Sequence, residues 1–195
     1  MRLPKTAMTI SDGYYFDYAD IPNQEFKIRI LIKIICRIGR YGNVLDIPYT
    51  VGNHSLMLSY AVPFRLALEA LVHDLHEGIM GDMIGPLKQL CPDYKAIENE
   101  TEKYCRLSLG LAPIISEEIK IADKCMSLNE KFQILNSSDS WDYLDGYEPL
   151  DIGLIHLDND TCYKAFLLRF ESLRIGMDVP LVEILEQVNI AENTQ

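Results

Sequence analysis

The stretch that decides the fold runs from His54 to Lys88: HSLMLSYAVPFRLALEALVHDLHEGIMGDMIGPLK. Its middle reads as one helix over residues 63–79, with Leu66, Ala67, Ala70, Leu71 and Leu75 spread around it. A helix that is apolar nearly all round belongs at the centre of a protein. Yet this one carries His73-Asp74 near its end and Glu77 four residues after the histidine, while His54 stands nineteen residues before His73. Unpaired carboxylates are costly to bury. A metal ion would satisfy them.

Upstream, residues 24–39 predict a helix with Phe26, Ile30, Ile34 and Ile38 on one face and Leu31 and Ile35 beside it. It should end near Gly39 or Gly42, where Arg40-Tyr41-Gly42-Asn43 makes a turn. Residues 51–61 read as helical with Asn53 as N-cap, and Pro63 starts the next helix. Residues 1–24 look extended or irregular, with a short strand or hairpin over Gly13–Tyr18.

Downstream, residues 84–90 suggest a short helix or turn, and residues 93–109 a helix. Another spans 113–129, with Pro113 near its start, Glu117-Glu118 in its first turn, and Ile119, Ala122 and Met126 facing inward. Asp123 falls on that inward face. Residues 137–158 read as loop, residues 160–174 and 180–190 as closing helices, and the tail AENTQ as frayed. No strand pattern persists. The expectation is an all-α fold in one domain, residues 1–195, with its core in about 24–131 and a C-terminal helical extension over 132–195.

A chain of 195 residues that is 48% hydrophobic and 24% charged can bury a real core. Its net charge of -11 argues against binding along a nucleic-acid backbone, which favours a basic face. It leaves room for a nucleotide substrate, because a divalent ion with a few local Arg or Lys inverts the field nearby. The five cysteines are scattered, with no CxxC pair, and read as buried free thiols of a cytoplasmic protein. The N-terminus lacks a signal-peptide core. The most apolar run, Ile28–Ile38, is about half a membrane span and carries basic residues, so no membrane partner is expected.

His54, His73, Asp74 and Asp123 together make a mixed nitrogen and oxygen set suited to a first-row divalent metal: cobalt, manganese, zinc, nickel or iron. Glu77 lies close enough along the chain to exchange a proton with water or a leaving group. Arg40, through its planar fork, and Lys88, as a point charge, suit phosphate oxygens. Each residue alone has a plainer reading: a hydrogen-bonded core histidine, a turn at Gly81-Asp82, a solvated lysine. The joint spacing is what resists accident.

On these motifs the chain resembles the HD-domain phosphohydrolases, in the compact branch that holds bacterial 5'-deoxynucleotidases and bacteriophage dATP triphosphohydrolases. The likeness runs from about Thr9 to about Lys131. It rests on Ser11–Asp17, Arg40-Tyr41, Tyr49–Ser55, His73-Asp74-Leu75-His76-Glu77, Gly81-Asp82, Pro86-Leu87-Lys88 and Ile121-Ala122-Asp123-Lys124. It implies an HD-domain helical bundle with His54, His73, Asp74 and Asp123 as metal ligands. Glu77, with Asp74, would be catalytic. Arg40 would touch phosphate or sugar, Tyr41 would exclude ribose, Asp82 would bind sugar or phosphate, in one version through a second ion, magnesium. Pro86 would pack on the base and Lys88 would bind phosphate. Relatives commonly have Glu where Asn53 stands, and often Trp or Phe where Tyr41 stands. Relatives of this kind assemble, so a homo-oligomer is expected.

The expected activity is metal-dependent hydrolysis of a deoxynucleotide, with dATP split to deoxyadenosine and triphosphate first. The alternatives are a 5'-deoxynucleotidase acting on deoxynucleoside monophosphates, a nucleotide-binding protein without turnover, and a purely structural helical domain.

Overall fold

A computed structural model describes residues 3–193 apart from Asp12. The Asp12 of the opening motif therefore lies outside the described residues. The fold is all-α, with one small antiparallel hairpin at its start. Strands β1 (Ala7–Ser11) and β2 (Tyr14–Asp17) pair Thr9 with Tyr15, and Phe16 drives the hairpin into the core.

Helix α1 is Ile28–Ile35, shorter than residues 24–39 suggested. Its buried side is Leu31, Ile32, Ile35 and Cys36, with Phe26 just ahead of it, and not the Ile30–Ile34–Ile38 row. The run is apolar on most sides, so periodicity could not choose the face. Its end is set by a competing backbone pairing. Arg40 N–H donates to Tyr49 O at 3.0 Å and Val51 N–H to Ile38 O at 2.9 Å, which peels Ile38–Arg40 away from the helix.

Helix α2 (Val51–Ala61) is buried from Val51 through Ser59. Its N-cap is Thr50, whose Oγ1 accepts from Asn53 N–H, and not Asn53 itself. The Asn53 amide instead bonds both backbone groups of Leu157, at 3.0 and 2.7 Å. Gly52 is obligatory for packing: a Cβ there would lie 2.6 Å from Cys36 Sγ and 2.9 Å from Cys36 Cα.

Helix α3 (Phe64–Val72) stops earlier than the 63–79 reading. His73–His76 form tight turns, and α4 (Glu77–Met80) restarts the chain. The break turns His73 and Asp74 out of the apolar helix toward a common cavity. Gly78 lets α4 lie against the Leu31 backbone, 3.2 Å from where its Cβ would be. Helices α5 (Gly85–Lys88) and α6 (Pro92–Ser108) follow.

Helix α7 (Glu117–Gln133) begins four residues later than Pro113, because Ser116 is the cap: its Oγ accepts from Ile119 N–H. Glu69 on α3 accepts from Ser116 N–H and Oγ–H, both at 2.9 Å, and from Arg106 Nη2 at 2.6 Å. That network fixes where α7 starts, and so where Asp123 falls. Residues 134–158 are irregular apart from one 3-10 turn at Asp142–Leu144. Helices α8 (Asn159–Arg174) and α9 (Leu181–Asn193) finish the chain. Cys162, Ala165, Phe166 and Phe170 of α8 share one core with α1, α2 and α3, as do Ile184 and Val188 of α9. The core therefore draws on chain beyond residue 131. All five cysteines are free; Cys36, Cys105 and Cys162 are buried, while Cys91 and Cys125 are half-buried. Among the described residues no helix is long and apolar enough to cross a membrane.

Gly52→Ala should lower stability by about 1–3 kcal/mol through overpacking against Cys36. Urea denaturation checks this; an unchanged midpoint would mean α2 is free to shift.

Candidate metal centre

Three elements bring the expected ligands together. His54 comes from the buried first half of α2, His73 and Asp74 from the turn after α3, and Asp123 from α7. One donor atom from each of His54, His73 and Asp123 lies within 4.8 Å of the others. His54 Nε2 is 3.0 Å from Asp123 Oδ1, and His73 Nε2 is 3.0 Å from Asp74 Oδ2 and 3.9 Å from Asp123 Oδ1.

The far nitrogens are already committed. His54 Nδ1 lies 2.6 Å from Glu130 Oε1, and His73 Nδ1 lies 2.7 Å from Ala70 O. With Nδ1–H donated there, each Nε2 presents a lone pair. Both Nε2 atoms are buried without a hydrogen-bond donor, and each faces a carboxylate oxygen. Acceptor against acceptor is tolerable only with a cation between them, either a proton or a metal. The donor set, the orphaned nitrogens and the committed Nδ1 atoms are such as could hold a metal ion, with outer hydrogen bonds already in place.

The charges agree. Burial and Arg40 push the His54 imidazole down, yet Glu130 and Asp123 lift it to about 9. Burial likewise lowers His73, but Asp74 and Asp123 raise it above the ordinary histidine value. Burial would raise Asp74 and Asp123; the two imidazoles hold both below the usual carboxylate range.

Glu77 behaves differently. It is 5% exposed, its Oε2 has no hydrogen-bond partner, and burial with the neighbouring Asp74 and Asp82 carboxylates drives its carboxyl well up. Its carboxyl gives up its proton at a higher pH than an ordinary glutamate does.

Arg40, Tyr41, Asp74, Glu77, Asp82 and Asp123 line one cavity of about 730 Å³, which Pro86 and Lys88 also border. His54 and His73 are not among its lining residues but contact Asp123 and Asp74, which are. The other residues singled out for the site thus line one cavity. Two of the cations are not free, however. Arg40 gives Nε and Nη2 to Glu130 Oε2 at 3.1 and 3.0 Å, and Lys88 pairs with Glu98 at 2.8 Å. Tyr41 adopts a left-handed backbone, φ 55°, which costs about 1–2 kcal/mol for a non-glycine residue. Its hydroxyl donates to Glu130 Oε2 at 2.6 Å, which holds it there.

Glu130 is the residue that sequence reasoning missed. It is fully buried and joins His54, Arg40 and Tyr41. Burial would raise its carboxyl, but Arg40 and then His54 hold it near 2. The available signal was its place seven residues after Asp123, two turns along α7 and on the same face. His76, quoted within the motif without a role, is buried and pushed down to about 4 by burial, with Lys88 and His73 also lowering it, so it is neutral. Trp141 and Tyr143, from the segment read as featureless loop, also line the cavity.

The fold and site thus define an all-α protein with a buried histidine–carboxylate cluster open to a deep cavity. No family model matches the chain. It is 32% identical over 163 residues to a protein of Escherichia coli (strain K12) named as uncharacterized protein YfdR, an alignment covering 83% of this chain and 92% of that one. The chain belongs to the YfdR family.

Loading a divalent ion must displace the proton shared by His54 Nε2 and Asp123. Calorimetry with manganese in two buffers of different ionisation enthalpy should show about one to two protons released per ion near pH 7. Affinity should rise with pH and level off above about 9, where His54 is already neutral. Binding without proton release would place the ion elsewhere. Glu130→Gln should weaken metal affinity roughly 10–100-fold; unchanged affinity would make Glu130 a purely structural residue.

Proposed function

We propose that the chain is a metal-dependent phosphohydrolase of the HD type that cleaves a deoxynucleotide at its 5'-phosphate and releases the deoxynucleoside. The observation that carries this reading is one cavity combining a cation-seeking histidine–carboxylate cluster, a buried protonated carboxyl and cationic side chains. Its volume suits a nucleotide. A divalent ion held by His54, His73, Asp74 and Asp123 supplies Lewis-acid polarisation and a more acidic water.

The chain's own groups do the rest. Water oxygen bonds to the α-phosphorus as the bond to the sugar 5'-oxygen breaks; Glu77 gives its proton to that leaving oxygen and takes one back from the attacking water. Arg40 aims its remaining Nη1 at the phosphate while Glu130 holds its other two nitrogens. Tyr41, fixed by Glu130, occupies the space a 2'-hydroxyl needs. Asp82 accepts from a sugar hydroxyl, and Lys88 turns from Glu98 toward phosphate.

The sequence favours dATP, yielding deoxyadenosine and triphosphate. One observation bears on a monophosphate instead: Arg40 and Lys88 are each offset by a buried carboxylate, so among the described residues that line the cavity Lys124, hydrogen-bonded to the Tyr147 hydroxyl, is the cation without a carboxylate partner to meet a triphosphate tail. A panel of deoxynucleoside mono- and triphosphates, with products identified in manganese or cobalt, decides. Triphosphate from dATP with little turnover of dGTP supports the first; inorganic phosphate from monophosphates alone supports the second. No turnover of either would leave a nucleotide-binding protein.

Asp74→Ala should abolish both turnover and metal binding with helical content near normal by circular dichroism. Glu77→Gln should keep the metal and slow turnover by about two orders of magnitude or more. Full activity in the second variant would remove Glu77 from the chemistry.

A further inference from the structure

We propose that the exposed ring of Tyr143, backed by Trp141, is the wall on which the nucleobase of the substrate stacks. This inference rests on the deoxynucleotide reading of the site. Tyr143 is 50% exposed yet belongs to the cavity lining, together with Trp141 and Tyr41. Its ring lies 5.8 Å from that of Trp141 at 21° between planes, an offset stack. Tyr41 and the Lys131 ammonium flank Trp141, at 6.3 and 5.6 Å. Tyr143 is thus the member of the group with an open face, and that face belongs to the same cavity as the metal cluster.

The wall sits in irregular chain that is held to the core at Leu144 and tied to α7 further along. Leu144, next to Tyr143, is buried and anchors the 3-10 turn. Asn129 on α7 bonds Leu150 N and O, both at 2.7 Å, and Gln133 bonds Leu154 N and Ile152 O at 2.8 and 2.9 Å. Asn53 on α2 clamps Leu157 in the same manner. Helix α7 therefore carries the metal ligand Asp123 and also the side chains that moor this segment. A flat aromatic wall at a set offset from a phosphate-directed floor matches a ligand with a planar ring at one end and phosphate at the other. Base stacking on an aromatic side chain tolerates any base, so the wall selects for the presence of a base and not for which one.

Trp141 is the single tryptophan of the chain, so its emission reports on the wall directly. Manganese-loaded Glu77→Gln protein, used so that ligand is not consumed, is titrated with dAMP and with deoxyribose 5-phosphate, which has no base. We expect dAMP to change the Trp141 emission and to bind about tenfold or more tightly than the baseless ligand. Adding Tyr143→Ala should erase that advantage without weakening deoxyribose 5-phosphate, and Tyr143→Phe should retain it. Equal affinity for the two ligands, an unchanged dAMP affinity in the Tyr143→Ala protein, or no binding of either overturns the proposal. Turnover by the unaltered chain is scored separately. Hydrolysis without base-dependent binding sinks the wall and keeps the hydrolase, whereas base-dependent binding without hydrolysis does the reverse.

Discussion

Two nitrogen lone pairs that face carboxylate oxygens across gaps fit only for a cation are the constraint on which this structure depends. His54 Nε2 meets Asp123 and His73 Nε2 meets Asp74, each at 3.0 Å. Buried polar groups left in such opposition are expensive. The surrounding architecture holds them there regardless. Helix α2 is buried through most of its length, so His54 cannot swing to water. The tight turns after Val72 bring His73 Nε2 to 3.0 Å from Asp74 Oδ2.

Helix α7 holds the His54 ring by both nitrogens. Asp123 reaches Nε2 and, two turns on, Glu130 reaches Nδ1 at 2.6 Å. A shift of α7 by one residue would lose both contacts together. The start of that helix is accordingly over-determined: Ser116 caps it, Glu69 accepts from Ser116, and buried Arg106 secures Glu69. Arg106 also donates to the carbonyls of Ala112 and Ile114, which fixes the approach to the helix. The histidine–carboxylate cluster is thus positioned by an ion pair that lies outside it.

Much of this was legible in the sequence, and the boundary is physical. The all-α class followed from helical periodicity; the approach of His54, His73 and Asp123 agrees with the cost of burying such groups unmatched, and the full ligand set with Asp74 is what the family resemblance implies. Those arguments use side-chain chemistry, which one-dimensional order carries. What failed was local geometry. The face of α1 was misread because its isoleucines surround the axis, and its length because a pairing with Tyr49 and Val51 competes for the same backbone. Asn53 looked like a cap because it is a capping residue type, yet Thr50 had the place and Asn53 was needed for Leu157. Glu130 was hidden among Leu128, Asn129 and Lys131, where a glutamate reads as surface. Only its three partners, distant in sequence, distinguish it.

On the proposed reading an acidic chain must attract an anion, and the arrangement of charges says how. Burial raises the Glu77 carboxyl and lowers the His76 imidazole, which favours the neutral form of each. Arg40 is balanced by Glu130 and Lys88 by Glu98. Little uncompensated positive charge is left on these side chains, so the attraction would fall to Lys124, whose ammonium bonds the Tyr147 hydroxyl, and to a bound ion, the largest local charge in such a site. Arg40 then has a different task. Glu130 takes Nε and Nη2, leaving Nη1 on the side of the metal cluster, 3.9 Å from Asp74. A guanidinium held by two of its nitrogens can direct the third only one way, so it sets the orientation of a phosphate that the ion has drawn in. A lysine at position 40, with a single rotatable ammonium, could supply the charge but not that direction.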